Sequence, residues 1–225
     1  MAVHLLTASG AVLGLYGLVA AADGRIRDAF LAMLAATAID AIDGWLARWL
    51  DVHRRVPHID GARLDDIVDY LTFVVLPAFV LLEVDLAPPG WAWILAAAML
   101  VSSAFGFART DAKTEQAFTG FPSYWNVVVF YLAAGGLPPA ANAVVVLVLA
   151  LLVFVPLGYV YPTKTVELRR TTLTLAAAWG AALLWLTLRY PDVPRGWLAA
   201  TLAFPAYYFI LSLTLHARRF VRSTP

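Results

Sequence analysis

Apolar residues run through this chain in long blocks, and polar residues gather in the gaps between them. Eight blocks stand out, over 3–22, 28–50, 60–83, 90–109, 122–135, 139–161, 171–189 and 196–217. Most approach the ~20 residues a helix needs to cross the hydrocarbon core of a bilayer. The fifth is short, and keeping it leaves the number of spans even. Helix breakers separate the blocks: Asp23-Gly24, Pro88-Pro89-Gly90, Gly120-Phe121-Pro122, Gly135-Gly136-Leu137-Pro138-Pro139, and the stretch from Pro191 to Pro194. The pattern predicts an all-α fold, a polytopic integral membrane bundle of about eight transmembrane helices. No soluble domain fits between the blocks, so 1–225 reads as a single integral membrane domain. The first block lacks a basic leader and a small-residue cleavage site, and is read as a retained span, not a signal peptide.

Composition agrees with a lipid environment. The chain is 62% hydrophobic and 14% charged, with a mean hydropathy of +0.77; a soluble domain carries about 25% charged residues. The absence of cysteine excludes disulfides, thiolate nucleophiles and Cys-ligated zinc. A net charge of +1 gives no support for a nucleic-acid partner. The placement of the sixteen basic residues says more. Arg48, Arg54, Arg55, Arg63, Arg109, Lys113, Lys164, Arg169, Arg170, Arg218, Arg219 and Arg222 fall on one side of an eight-span arrangement. Arg25, Arg27, Arg189 and Arg195 fall on the other. The positive-inside rule makes the richer side cytoplasmic and places both termini there.

Two acidic pairs interrupt this apolar pattern. Asp40-x2-Asp43 lies near the end of the second block and Asp65-x3-Asp69 near the start of the third. A carboxylate at the centre of a membrane helix costs roughly 2.5 kcal/mol or more, so four need a compensating partner. At about 100° per residue, Asp40, Asp43, Gly44, Ala47 and Arg48 share an arc of about 140°, and Gly61, Asp65 and Asp69 one of about 80°. Folding one helix back on the other would set these stripes face to face. Oxygen-only ligands suit Mg2+ or Mn2+, and four carboxylates exceed the one or two that hold a single Mg2+, which points to two ions.

The string Asp40-x2-Asp43-Gly44-x2-Ala47-Arg48 … Gly61-x3-Asp65-x3-Asp69 resembles the signature of the CDP-alcohol phosphatidyltransferases. Twelve residues separate Arg48 from Gly61, where most of that family has about eight, and the longer spacing resembles the choline-accepting branch. Val3 to Gly10, Asp65 to Tyr70 and Gly120 to Asn126 are similar to the same branch, so the likeness spans the chain. The resemblance implies CDP-diacylglycerol and free choline as substrates, phosphatidylcholine and CMP as products, a membrane-lipid setting and a homodimer. It places Asp40, Asp43 and Asp65 at one metal and Asp40, Asp65 and Asp69 at a second. Asp69 doubles as the base that takes the alcohol proton. Gly44, Ala47, Arg48 and Gly61 line the cytidine-diphosphate pocket. It further implies a bacterial inner-membrane enzyme whose site faces the cytoplasm.

Elementary chemistry is compatible with these roles. Displacement at a diphosphate builds negative charge on the leaving phosphate, which metals and Arg48 can neutralise, and a guanidinium grips phosphate oxygens bidentately. A quaternary ammonium has no N–H and calls for aromatic faces. Tyr124 and Trp125 are the first candidates, with Tyr70, Tyr159 and Tyr161 behind them; each taken singly also reads as an interfacial aromatic. His53, His58, Arg54 and Arg55 read as a headgroup-facing loop, His4 and His216 as caps or interfacial groups, and the glycine-rich starts of the first two spans as close-packing surfaces, not phosphate sites. Two other functions stay open: the same transfer to serine, inositol or glycerol phosphate, and a cation-coupled transporter. The transporter is disfavoured because the later half holds no second copy of the acidic motif.

Overall fold

The computed structural model describes residues 1–110, 117–161, 165 and 167–223. Lys113 and Lys164 lie outside them, as do the side chains of His53, Arg55, Arg219 and Arg222. Helices dominate: α1 (Ala2–Ala22), α2 (Ile26–Trp49), the short α3 (Val52–Arg55), α4 (Gly61–Asp69), a π-helical turn (Tyr70–Val75) and α5 (Leu76–Glu83). Then come α6 (Ala92–Ala108), β1 (Ala117–Thr119), α7 (Trp125–Gly135), α8 (Pro139–Leu152), β2 (Gly158–Val160), α9 (Arg169–Leu188), α10 (Arg195–Thr201) and α11 (Ala203–Ser223). Among the described residues, α1, α2, α9 and the stretch Arg195–Arg218 are long and apolar enough to cross a membrane, whereas α6, α7 and α8 are apolar but shorter.

The third block forms a rod over 61–83 that changes pitch midway. Pro77 has no N–H for the carbonyl of Phe73, and its ring crowds that carbonyl. The backbone widens into the π turn just before it, which is a common way to absorb such a defect. Thr72 donates its hydroxyl to the Val68 carbonyl at 3.0 Å across the same stretch. Pro205 similarly removes a donor to Thr201 and divides the last block into α10 and α11.

A glycine seam on α1 sets the position of this rod. A Cβ at Gly10 would sit 2.7 Å from Val68, one at Gly14 2.7 Å from Leu71, and one at Gly17 2.5 Å from Leu76. The partners rise in step along both chains, so α1 and the rod run parallel with their backbones in close approach. The turn at Asp23, Gly24 and Arg25 sends α2 back antiparallel to α1. Arg25 reaches Asp23 at 3.1 Å and Asp28 at 2.9 Å. These constraints gather the first turn of α1, the last turns of α2 and the first turns of α4 at one end of the molecule.

The sixth block departs from the expected helix to residue 161. Helix α8 stops at Leu152, and Pro156 disfavours helical backbone at Val155. Gly158–Val160 then pairs antiparallel with Ala117–Thr119, in the register Ala117↔Val160 and Thr119↔Gly158. At Gly120 (φ 81°) a Cβ would strike the Val153 carbonyl, so only glycine lets the two segments close. Helix α11 covers the outer edge of β2. The Tyr208 hydroxyl donates to the Val160 carbonyl at 2.9 Å. The Val160 N–H donates to Ser212 Oγ at 3.0 Å and the Gly158 N–H to His216 Nδ1 at 3.1 Å. Among the described residues, an otherwise helical fold thus holds one small strand pair with its edge satisfied by side chains.

Candidate active site

Asp40 comes from α2, and Asp65 and Asp69 from α4, on stripes that the seam and the α1–α2 turn press together. One carboxylate oxygen from each lies within 4.8 Å of the other two. Two unit charges at that separation repel by about 3–4 kcal/mol at an effective dielectric constant near 20. Such an arrangement holds together best around a cation. Oxygen-only donors in this number match a hard divalent ion.

Asp43 lines the same cavity but stands outside that group of three. The cavity is bounded by Thr7 and Gly10 of α1, Ala36, Ile39, Asp40 and Asp43 of α2, and Asp65, Val68, Asp69 and Thr72 of the rod. Asp43 is 4% exposed, and its Oδ2 is enclosed without a hydrogen-bond partner. It lies within electrostatic range of both Asp65 and Arg48. An enclosed carboxylate oxygen with an open valence beside three converging acids fits a cation site, so the donor set agrees with the metal the resemblance implies.

The other residues singled out in the motif sit around this cluster. Arg48 is exposed and folds back over α2, where a Cβ on Gly44 would come to 3.4 Å from its Nη1. Ala47 is partly exposed on the same stripe. Gly61 opens α4, where Asp60 caps the helix by accepting from the Arg63 N–H at 3.1 Å. Asp66 lies on the flank of α4 and stands outside the group of three.

The four aromatic candidates separate. Tyr124, the residue before α7, lies between Phe73 and Tyr208, with ring centroids at 6.5 and 6.3 Å, and within electrostatic range of Asp40 and Asp69. Tyr161 follows β2 and meets Phe118 edge-on at 4.4 Å. Trp125 is fully buried, with its Nε1–H donated to Ser103 at 2.7 Å. Tyr70 turns to α6, donating to the Leu100 carbonyl at 2.9 Å. Tyr124 thus joins the acids to an aromatic group in which Tyr159 stacks on Tyr208 at 6.4 Å, with Tyr161 within electrostatic range of Tyr124.

Two residues on α1 join the site that charge and motif spacing did not single out. Thr7 lines the acidic cavity beside Asp43, its hydroxyl donating to the Val3 carbonyl at 3.2 Å. His4 lies one turn earlier, buried against Gly61 rather than capping the helix or facing an interface. Their signal in the sequence is the spacing His4-x2-Thr7-x2-Gly10, which puts both polar groups on the glycine face. Tyr208 was likewise missed, because nothing local distinguishes it from the neighbouring Tyr207.

Comparison with known proteins supplies relatives for this chain. A family model described as CDP-alcohol phosphatidyltransferase matches residues 2–217. The chain is 34% identical over 214 residues to a phosphatidylcholine synthase of Rhizobium meliloti (strain 1021), covering 95% of this chain and 89% of that one. It is 35% identical over 218 residues to a phosphatidylcholine synthase of Legionella pneumophila subsp. pneumophila, covering 93% and 86%. A phosphatidylcholine synthase of Mesorhizobium japonicum is 41% identical over 180 residues, covering 80% and 67%.

Proposed function

The chain belongs to the CDP-alcohol phosphatidyltransferases, and from that premise we propose that it transfers the phosphatidyl group of CDP-diacylglycerol to choline, giving phosphatidylcholine and CMP. The convergence of Asp40, Asp65 and Asp69 within 4.8 Å carries the chemical part of this reading. The names of the relatives support choline as the acceptor. Membership of an enzyme family sets aside the cation-coupled transporter.

Two divalent ions, Mn2+ or Mg2+, would be held by Asp40, Asp43 and Asp65 at one position and by Asp40, Asp65 and Asp69 at the other. Bound there, they would offset the charge that develops on the diphosphate. Asp69 takes the hydroxyl proton of choline as the choline oxygen bonds to the phosphorus of the phosphatidyl group. The bond from that phosphorus to the bridging oxygen breaks, and CMP leaves with the oxygen and its electron pair. No side chain is covalently modified. Arg48 grips the diphosphate through its paired N–H groups, and Gly44, Ala47 and Gly61 leave space for the nucleotide. The trimethylammonium packs against Tyr124, which lies within electrostatic range of Asp40 and Asp69, with Tyr161, Trp125 and Tyr70 as further candidates.

The same reading makes 1–225 one membrane domain of eight spans, the 61–83 rod, α6, α7 and α8 among them. Both termini and the site face the cytoplasm of a bacterium across its inner membrane, and two copies pair as a homodimer. Arg48, Arg54 and Arg63 at the acidic end of the helices accord with that orientation.

Purified protein given CDP-diacylglycerol, Mn2+ and labelled choline should form labelled lipid and CMP in equal amounts. Parallel reactions with serine, inositol and glycerol phosphate should release no CMP. Release of CMP with one of these and none with choline would transfer the assignment to that acceptor.

A further inference from the structure

The first turn of α1 brings a histidine to the nucleotide-donor side of this site, and any role for it there rests on the phosphatidyl transfer proposed above. His4 sits at the very start of a helix, where side chains are normally solvated, yet it is only 9% exposed. Its ring presses on the opening residue of α4. A Cβ on Gly61 would lie 2.9 Å from His4 Cε1 and 3.4 Å from Nδ1. The Nε2 atom is enclosed and has no hydrogen-bond partner.

Packing by itself gives no reason for an imidazole here. A leucine would fill similar space without enclosing an unpaired nitrogen, an omission that works against folding. The surroundings supply a reason. Gly61, Asp65 and Asp69 make one stripe on α4, so His4 lies one turn beyond the carboxylates, at the N-terminal end of that helix. Such an end attracts negative charge. Thr7, the next polar residue on the same face of α1, already lines the acidic cavity. His4 stands outside that lining, one turn from Thr7, and continues the polar face of α1 to Gly61.

We propose that His4 is a substrate-contacting residue of the donor site, its Nε2–H donating a hydrogen bond to an acceptor oxygen of the CMP portion of CDP-diacylglycerol. The nucleotide supplies the partner that the fold leaves out. Gly61 then has two duties: it admits the imidazole and leaves the nucleotide room beside it.

The test measures CMP binding to detergent-purified protein by calorimetry with Mn2+ present, and Mn2+ binding separately. His4→Leu keeps the volume and removes the donor; His4→Gln restores an N–H at a similar reach. His4→Leu should weaken CMP binding and raise KM for CDP-diacylglycerol on the order of tenfold or more, the effect of one hydrogen bond to a charged oxygen. KM for choline and Mn2+ affinity should hold, melting temperature should hold or rise, and His4→Gln should recover most of the loss. Cytidine binding distinguishes the two sources of the oxygen: an equal loss assigns the nucleoside, and no loss assigns the phosphate. CMP affinity in His4→Leu equal to wild type would overturn the inference while leaving the proposed function standing. So would equal impairment of His4→Leu and His4→Gln accompanied by lost Mn2+ affinity, the mark of a purely structural role. Failure of the wild-type protein to bind CMP would instead overturn the donor site itself.

Discussion

Polar residues recur at one-turn intervals along both α1 and α11, as His4 and Thr7 in the first and as Tyr208, Ser212 and His216 in the last. Their fates differ. On α11 each group meets a backbone atom of β2: Tyr208 the Val160 carbonyl, Ser212 the Val160 N–H, His216 the Gly158 N–H. On α1, Thr7 falls back on its own helix, donating to the Val3 carbonyl, and His4 Nε2 is enclosed without a partner, as is Asp43 Oδ2 of α2. The contrast arises from the surface each helix faces. A strand edge offers unpaired donors and acceptors, so a polar stripe laid along it is consumed in holding the fold. The side of another helix offers less, because its N–H groups are already bonded within it and only a carbonyl's second lone pair is left, as Leu100 of α6 lends to Tyr70. A polar group that reaches no such carbonyl must be answered by other side chains or by a ligand. The α1–α2–α4 corner is where a ligand is called for, and the α11–β2 edge is where one is not.

The largest expected break in this contrast is chemical. Asp69→Asn should lower CMP release by about 10²–10⁴-fold, the usual contribution of a general base. Its melting temperature should hold or rise, since one of three mutually repelling carboxylates has been neutralised. EDTA should silence the wild-type protein and Mn2+ restore it, with no rescue of the variant; full turnover in Asp69→Asn would remove the base role. A mechanical break comes next. Gly14→Val drives a branched side chain into Leu71 and Thr72 and should destabilise by about 1–3 kcal/mol, read as earlier thermal unfolding in detergent. Gly180→Ala on α9, where a Cβ would meet nothing within 4 Å, should leave unfolding unchanged or slightly later. An equal drop in both would mean that the seam is not the feature holding α1 to the rod.

Ser212→Ala sharpens the comparison from the α11 side. It leaves the buried Val160 N–H without its acceptor and should cost about 1–3 kcal/mol, while turnover per folded molecule stays near wild type. A fall in turnover without a fall in stability would mean that this edge takes part in the chemistry. His216→Ala should do least, about 0.5–1 kcal/mol, because water can reach the half-buried Gly158 N–H in its place.

The acidic pairs were legible because charge in an apolar helix is conspicuous and helical spacing assigns each carboxylate a face. The aromatic residues were not separable in the same way. Trp125 and Tyr124 are neighbours with the same flanking chain, yet one is spent on Ser103 and the other approaches Asp40 and Asp69. Direction at a helix start depends on how α6 and α11 pack, which no local pattern records. The strand pair was equally hidden, since three residues per strand are too few to alternate recognisably.

The amino-acid sequence by itself determined the long apolar helices, the breaks between them, and the alignment of Asp40 with Arg48 and of Gly61 with Asp69 on shared faces, because these follow from helical periodicity and the penalty for charge in lipid. Tertiary structure alone decided that Asp40, Asp65 and Asp69 converge with Asp43 enclosed in the same cavity, that His4 lies on Gly61, and that α11 covers a strand edge. Those outcomes depend on how closely a glycine seam lets two backbones approach, and that distance belongs to the pair of helices, not to either one.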